Sequence, residues 1–406
     1  MTLRILLGAV CTLVLAQLVV IATLVTVDLV RKRRGAPTAF PWLSLEEVQV
    51  DGNGLRLYTY GEELYTAMLQ AIEHAEHQVL LETFIWKDDA VGQEFKRRLI
   101  EAADRGVEVY VIFDSFANLV VPRRFKRFPP QLKVLEYRLL PRIWQLLDPR
   151  RYARDHRKIL VVDGQTAFAG GFNIGARYAT EWRDTHLCLT GPVVAELQNA
   201  FVDFWNTHRS RRQPKLPNPR QRAWLSRIRV HRNDPTTLIF PIRTMYLEAI
   251  DRAAHHINLT HGYFIPDRAL LRALLAAAAR GVDVRILLPA NSNHVVADWL
   301  ARGYYGRCLR GGIRLLLYQN AMIHAKTATV DSIWSTIGTA NMDRLSLVGN
   351  FEINLEIYDE ALARQMERVF VRDATNAREL TLQEWRSRPW LAKVGETVLL
   401  PLRPLL

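Results

Sequence analysis

Apolar and polar positions along this chain change period in a regular order. Across residues 65–76 apolar side chains recur at helical spacing, and residues 79–86, Val-Leu-Leu-Glu-Thr-Phe-Ile-Trp, then read as a strand. A second amphipathic helix is predicted over 91–105, closed by Gly106 as a C-cap, and 107–114 is the next strand. This alternation predicts an α/β protein with a largely parallel, helix-covered sheet. The pattern then returns. Ala71-Ile72-Glu73 is echoed by Ala249-Ile250-Asp251, and Arg105-Gly106-Val107-Glu108-Val109 by Arg280-Gly281-Val282-Asp283-Val284, so two internal duplicates are expected. Residues 209–222, rich in Pro and basic side chains, read as the linker, with helices expected on either side of it. The predicted halves are 35–215 and 216–406.

The amino terminus follows a different rule. Residues 5–27 contain no charged side chain, enough to span a bilayer core of about 20 apolar residues. Arg31-Lys32-Arg33-Arg34 follows at once, whereas Arg4 alone precedes. Positive charge stays on the cytoplasmic side, so residues 1–34 are predicted to be a single-pass anchor in the cell membrane with the body in the cytoplasm. A cleaved signal peptide is the alternative. The length of the run, its weakly charged start and the lack of a small-x-small site argue against it.

The candidate chemistry is one motif written twice. His156-Arg157-Lys158 is followed by Asp163, then Gly170-Gly171-Phe172-Asn173; His324-Ala325-Lys326 is followed by Asp331, then Gly338-Thr339-Ala340-Asn341. The separation from His156 to His324 and from Asn173 to Asn341 is 168 residues in both cases. A single His-x-Lys-x4-Asp match is weak, with a chance occurrence on the order of a few per cent; two in register are strong. Residues 159–162 read as a buried strand ending in a turn, and the run beginning at Lys326 has the same length. Residues two apart share a face of a strand, so each His and Lys project together. An imidazole, an ammonium and an amide on one face suit a tetrahedral phosphate, and histidine can both attack phosphorus and move a proton. Asp184 and Glu352 each lie 28 residues after a motif histidine, which reads as one carboxylate per imidazole to fix its tautomer.

These residues resemble the phospholipase D superfamily, whose signature is the doubled HKD motif, and within it the bacterial cardiolipin synthases. The narrower likeness rests on Glu82-Thr83-Phe84-Ile85-Trp86, on Arg154-Asp155-His156-Arg157-Lys158, and on residues 336–343 leading to Asn350-Phe351-Glu352. The resemblance implies two α/β/α halves packed about a pseudo-twofold axis around one shared site. It also implies phosphodiester transfer through a phosphohistidine with no metal or other cofactor. His156, Lys158, Asn173, His324, Lys326 and Asn341 are then the catalytic set, with Asp163, Asp184, Asp331 and Glu352 supporting. It favours His156 as nucleophile and His324 as acid and base, although the two copies are chemically equivalent. The expected reaction forms cardiolipin from phosphatidylglycerol. A phospholipase D that lets water take the second step uses the same residues, and a nucleic-acid phosphodiesterase or a lipid-binding scaffold are further alternatives.

Composition adjusts this picture in a few places. Lys and Arg number 54 against 41 Asp and Glu, a net charge of +13 that points to an anionic partner. The anchor favours an anionic phospholipid surface over nucleic acid. Cys11, Cys188 and Cys308 offer neither a disulfide framework nor zinc spacing. Tyr137 precedes His156 by 19 residues, but Tyr318 precedes His324 by 6, so the first half carries an insertion within 138–152. Its arginines and large apolar side chains suit a membrane boundary. Arg123-Arg124-Phe125-Lys126-Arg127-Phe128 adds a basic, aromatic cluster that in a nuclease stacks bases. Glu82 is expected as a buried acid paired to a base, His261 as a possible substrate contact, and the tail from Trp385 as a packing element. Nothing in the sequence bears on oligomeric state.

Overall fold

A computed structural model describes residues 2–34, 39–138, 152–219 and 226–405. Nearly all of the predicted insertion, with Arg142, Arg150 and Arg151, and residues 220–222 of the linker lie outside the described residues. The body is built on two sheets of eight described strands each. In spatial order the first runs Val48–Val50, Asn53–Tyr58, His186–Thr190, Thr166–Gly170, Ile159–Val162, Gln78–Thr83, Glu108–Asp114 and Lys133–Tyr137. The second runs Ile228–Asn233, Glu352–Tyr358, Trp334–Gly338, Lys326–Val330, His256–His261, Asp283–Pro289, Arg314–Tyr318 and Ala377–Leu380. The third to eighth strands of the first sheet and the second to seventh of the second are equivalent parts of the duplicate in the same order.

The sheets are mixed, which corrects the expectation of a largely parallel arrangement. Only Gln78–Thr83, Glu108–Asp114 and Lys133–Tyr137 pair in parallel in the first sheet, and only their counterparts His256–His261, Asp283–Pro289 and Arg314–Tyr318 in the second. The cause is connection length. A helix crossover returns a strand parallel to its predecessor, whereas the motif strands Ile159–Val162 and Lys326–Val330 turn tightly into their next strands and pair antiparallel. Helix periodicity located Gly61–Glu73 and Ala90–Asp104 to within a few residues. Gly106 takes φ +95°, the left-handed conformation that glycine adopts freely, and Gly281 repeats it at +92°. The linker is preceded by the helix Val194–His208, as expected, but followed by the edge strand Ile228–Asn233 rather than a helix. Its proline-rich start folds back on that helix, where the Trp205 indole donates to the Pro214 carbonyl at 2.9 Å.

One hydrophobic core crosses between the halves. Leu187, Phe201 and Trp205 of the first half share it with Ile337, Phe351, Ile353 and Leu355 of the second. A buried ion pair joins the halves too: Arg183 donates to Asp373 at 2.9 and 2.7 Å, with both side chains nearly inaccessible. Burial pushes the Asp373 carboxyl up to about 6 against the opposing pull of Arg183. The N-terminal helix Thr2–Arg34 carries the apolar run Leu6–Val30, 25 residues long and sufficient to cross a bilayer core.

The Arg183 pair makes a stability prediction. Asp373→Ala strands a guanidinium in the interface, and the loss is expected to be about 3–5 kcal/mol. Replacing both partners by apolar residues of similar volume is expected to recover most of it. Denaturant unfolding of the two variants beside the parent measures this, and equal midpoints for all three contradict it.

Candidate active site

The two motif segments reach the centre of the molecule by crossing into each other's half. The His156 N–H donates to the Phe351 carbonyl at 3.0 Å, and the Phe351 N–H returns a bond to the Arg154 carbonyl at 2.9 Å. At the symmetric position, Met322–Ile323 pairs in parallel with Trp182–Arg183, and the His324 N–H donates to the Arg183 carbonyl at 2.7 Å. These short bridges are extended backbone, so each His and the Lys two residues on project to one side, as the pattern predicts. All six residues of the predicted catalytic set are buried.

The carboxylates are exchanged relative to sequence proximity. His156 Nδ1 lies 2.9 and 3.0 Å from the two oxygens of Glu352, and His324 Nδ1 lies 2.6 Å from Asp184. Each acid thus serves the histidine of the other half, and the equal 28-residue offset reflects duplication rather than pairing. Holding the proton on Nδ1 leaves the lone pair on Nε2, the tautomer needed for attack or proton uptake. The two acids differ. Lys326, His324 and the Thr185 N–H outweigh burial to hold Asp184 well below the usual carboxylate range, whereas burial pushes Glu352 up to about 8 despite the two lysines and the Thr339 hydroxyl. Thr339 donates to Glu352. Its counterpart is Gly171, and there a Cβ would come within 2.0 Å of Asp184. A glycine is required because the carboxylate fills the space a side chain needs.

Lys158 Nζ donates to the His156 carbonyl at 2.6 Å, and Lys326 Nζ does the same to His324. Burial pushes Lys158 down to about 8 and Lys326 to about 7; Asp184 and Glu352 oppose this, and Lys158 adds to the effect on Lys326. Burial also lowers both imidazoles, His156 well below its ordinary value and His324 to about 3, with the lysines reinforcing it. Asn173 Oδ1 accepts from the Ile85 N–H at 3.1 Å, while Asn341 Oδ1 is buried with no partner among the described residues.

Asp163 and Asp331 lie at the far ends of the motif strands. Asp163 accepts from the backbone N–H groups of Glu76, His77 and Gln78 at 2.7–2.9 Å, and Asp331 from Ala254, His255 and His256 at 2.7–2.8 Å. Both occupy left-handed backbone, φ +53° and +52°, which Asp tolerates through local hydrogen bonding. They fasten the turn after the motif strand to the start of its neighbour.

The remaining expectations sort clearly. Glu82 pairs with Arg157, as expected of a buried acid. His261 is fully buried beside the Tyr246 ring and has no surface through which to touch a ligand. In the basic cluster Phe125 is buried, and Lys96 lies over the Phe125 and Phe128 rings at 5.0 and 4.6 Å, so these rings pack inward instead of standing free for bases. Sequence reasoning missed Thr339 as a partner of Glu352, and missed the ring contacts: Phe84 at 4.6 Å from the His156 ring, Trp182 and Tyr263 at 5.2 and 6.3 Å from His324. Reading across the 168-residue offset at Gly171 would have singled out Thr339.

Two duplicated halves that place a His, a Lys and an Asn each around one centre define a phospholipase D-like protein. The family described as cardiolipin synthase, PLD-like domain, matches residues 68–205 and 246–374, and the chain belongs to it. It is 32% identical over 371 residues to a cardiolipin synthase of Clostridium perfringens, covering 87% of this chain and 77% of that one. With cardiolipin synthase A of Pseudomonas aeruginosa it shares 33% over 362 residues, 87% and 74% of the two chains. The major cardiolipin synthase of Bacillus subtilis is 30% identical over 384 residues, 88% and 77%. Among solved structures, phosphatidylserine synthase from Haemophilus influenzae has the same fold, with a TM-score of 0.67 at 14% identity over 90% of this chain and 95% of that one.

The fastening role assigned to Asp331 is measurable. Against a burial cost, its three backbone bonds hold the carboxyl below the ordinary range. A depressed carboxyl stabilises the fold above the unfolded value near 4 and loses that contribution as pH falls through the folded value. Asp331→Asn is therefore expected to cost about 0.5–1.5 kcal/mol at neutral pH, reduced because the carboxyl is largely solvated, and to lose less stability than the parent on acidification. Unfolding curves at several pH values test this; parallel losses in both proteins count against it.

Proposed function

We propose that this chain is a membrane-bound phosphatidyltransferase that forms cardiolipin from phosphatidylglycerol through a phosphohistidine. The observation that carries the reading is the pair of buried lysines flanked by two carboxylate-oriented imidazoles. Two lysines converge where Asp184 is held well below the usual carboxylate range and burial works against the charge on Glu352, a balance that an entering anion completes. A phosphodiester monoanion is such an anion. Supporting the lipid assignment are the cardiolipin synthase relatives and the apolar Leu6–Val30 helix. The Arg31–Arg34 cluster favours a single-pass anchor with a cytoplasmic body.

His156 Nε2 attacks the phosphorus of one phosphatidylglycerol while His324 protonates the departing glycerol. His324 binds protons weakly at rest, and the bound anion raises that affinity, so the acid becomes charged in the substrate complex. His324 then takes the proton from the hydroxyl of a second phosphatidylglycerol, whose oxygen displaces His156. Lys158, Lys326, Asn173 and Asn341 hold the non-bridging oxygens through both steps. Asp184 and Glu352 keep the imidazoles in their working tautomers.

Mass spectrometry of lipids after incubation with phosphatidylglycerol vesicles tests the reaction. Cardiolipin and glycerol in equal amounts are expected, with His324→Ala and His156→Ala each lowering turnover by at least a hundredfold. Phosphatidic acid as the main product instead makes the protein a phospholipase D. Turnover retained by both variants sinks the two-histidine site.

The lysines set a pH dependence. Rising pH removes their charge through about 7 for Lys326 and about 8 for Lys158, so kcat/KM is expected to fall on the alkaline side across that range. The bound anion stabilises the charged lysines, which moves the same limb to higher pH in kcat. Coincident limbs in the two profiles, or none below pH 10, contradict this.

A further inference from the structure

The N-terminal helix does not leave the body freely. Gln17, Val20, Ile21, Leu24 and Asp28 recur on one helical face, and that stripe is wholly or partly buried against the body. The Gln17 amide donates to the Val398 carbonyl at 3.1 Å, fixing the stripe to the C-terminal helix Trp390–Leu399. Gln17 and Asp28 thus face protein and the hydroxyls of Thr12, Thr23 and Thr26 bond back to carbonyls of their own helix, while Leu6, Leu7, Val10, Leu13, Val14 and Leu15 face outward, the division expected of a segment in lipid.

Length turns this contact into a constraint. Docking begins at Gln17, so only residues 6–16 extend past the body, about 16 Å of helix against a hydrocarbon thickness of about 30 Å. If Leu6–Val30 crosses the bilayer, the element docked on it enters the nearer leaflet alongside it. The C-terminal helix has the surface for that position. Gly395, Glu396 and Leu399 are buried; Gly395 lets the helix approach the Trp299 ring, where an added Cβ would stand 3.2 Å away. Its other side exposes Trp390 at 69%, Leu391 at 65% and Val394 at 48%, with Leu400 beyond it. The Glu396 charge on the buried side is matched by Arg302 and Arg388 at 2.9 and 2.7 Å.

We propose that the C-terminal helix Trp390–Leu399 is a second membrane element, lying in the boundary between headgroups and acyl chains with Trp390, Leu391 and Val394 in lipid and braced against the N-terminal span. The proposal rests on the reading of Leu6–Val30 as a membrane anchor. It holds the body partly immersed at the surface from which a two-tailed substrate must come.

The test uses the full-length chain in phosphatidylglycerol-containing vesicles and isolates one indole by difference between the parent and Trp390→Phe, a substitution that keeps an apolar ring. The difference emission is expected to be blue-shifted and quenched about twofold or more by bromines high on the acyl chains, with little effect of aqueous iodide. Flotation of the same vesicles reports the anchor separately. Protein that floats while the Trp390 emission is quenched by iodide, or by neither quencher as under a second copy or another protein, overturns the proposal with the anchor intact. Protein that does not float overturns both.

Discussion

Neither half of this molecule orients its own motif histidine. His156 finds its carboxylate on the first residue of the Glu352–Tyr358 strand, and His324 finds Asp184 just ahead of His186–Thr190, so each imidazole is oriented only when the halves are docked. The exchange has a physical basis. The residue before each histidine bridges to the opposite half, through Asp155 with Phe351 and Ile323 with Arg183, and the acid is the next residue along that partner. Backbone pairing and proton relay are therefore the same contact. A shared core of aromatic and branched side chains supplies apolar burial that offsets drawing two lysines, two carboxyls and two imidazoles out of water.

The doubled motif combines two jobs at opposite ends of one strand. Its His and Lys enter the centre in extended backbone, while its Asp turns left-handed and binds three consecutive N–H groups of the neighbouring segment. Fixing that end fixes the register of the strand against Gln78–Thr83 or His256–His261, and a one-residue slip would turn the Lys away from the shared centre. The spacing of the motif is thus the length of a strand. The unequal acids add a second asymmetry: Thr339 donates to Glu352 where Gly171 only makes room for Asp184, so the two imidazoles are oriented by carboxyls of different proton affinity.

Much of this was legible in the sequence because duplication supplies its own control. A short motif recurring at one offset identifies His156, Lys158 and Asn173 with their partners, and the apolar runs after them locate the strands. What the offset could not carry is which half an acid faces, since equal spacing is compatible with pairing within a half or across. Strand direction was misread for a related reason: helix and strand periods reveal crossovers but not the antiparallel turns between Ile159–Val162, Thr166–Gly170 and their neighbours. Glu82 was readable as a buried acid, whereas the inward packing of Phe125 and Phe128 depends on Lys96, 29 and 32 positions away.

Transfer and hydrolysis use the same imidazoles, so the difference between a synthase and a lipase lies in what reaches the phosphohistidine. Here His156 and His324 are almost inaccessible, ringed by Phe84, Trp182 and Tyr263, and the lysines behind them are buried. Rings packed against both imidazoles leave little room for bulk water, whereas a membrane enzyme meets lipid hydroxyls at the high local concentration of the bilayer. The anchor matters to the chemistry on this account, because it makes the acceptor's effective concentration a property of the membrane surface. A site that excludes water and draws both substrates from one sheet of lipid favours transfer.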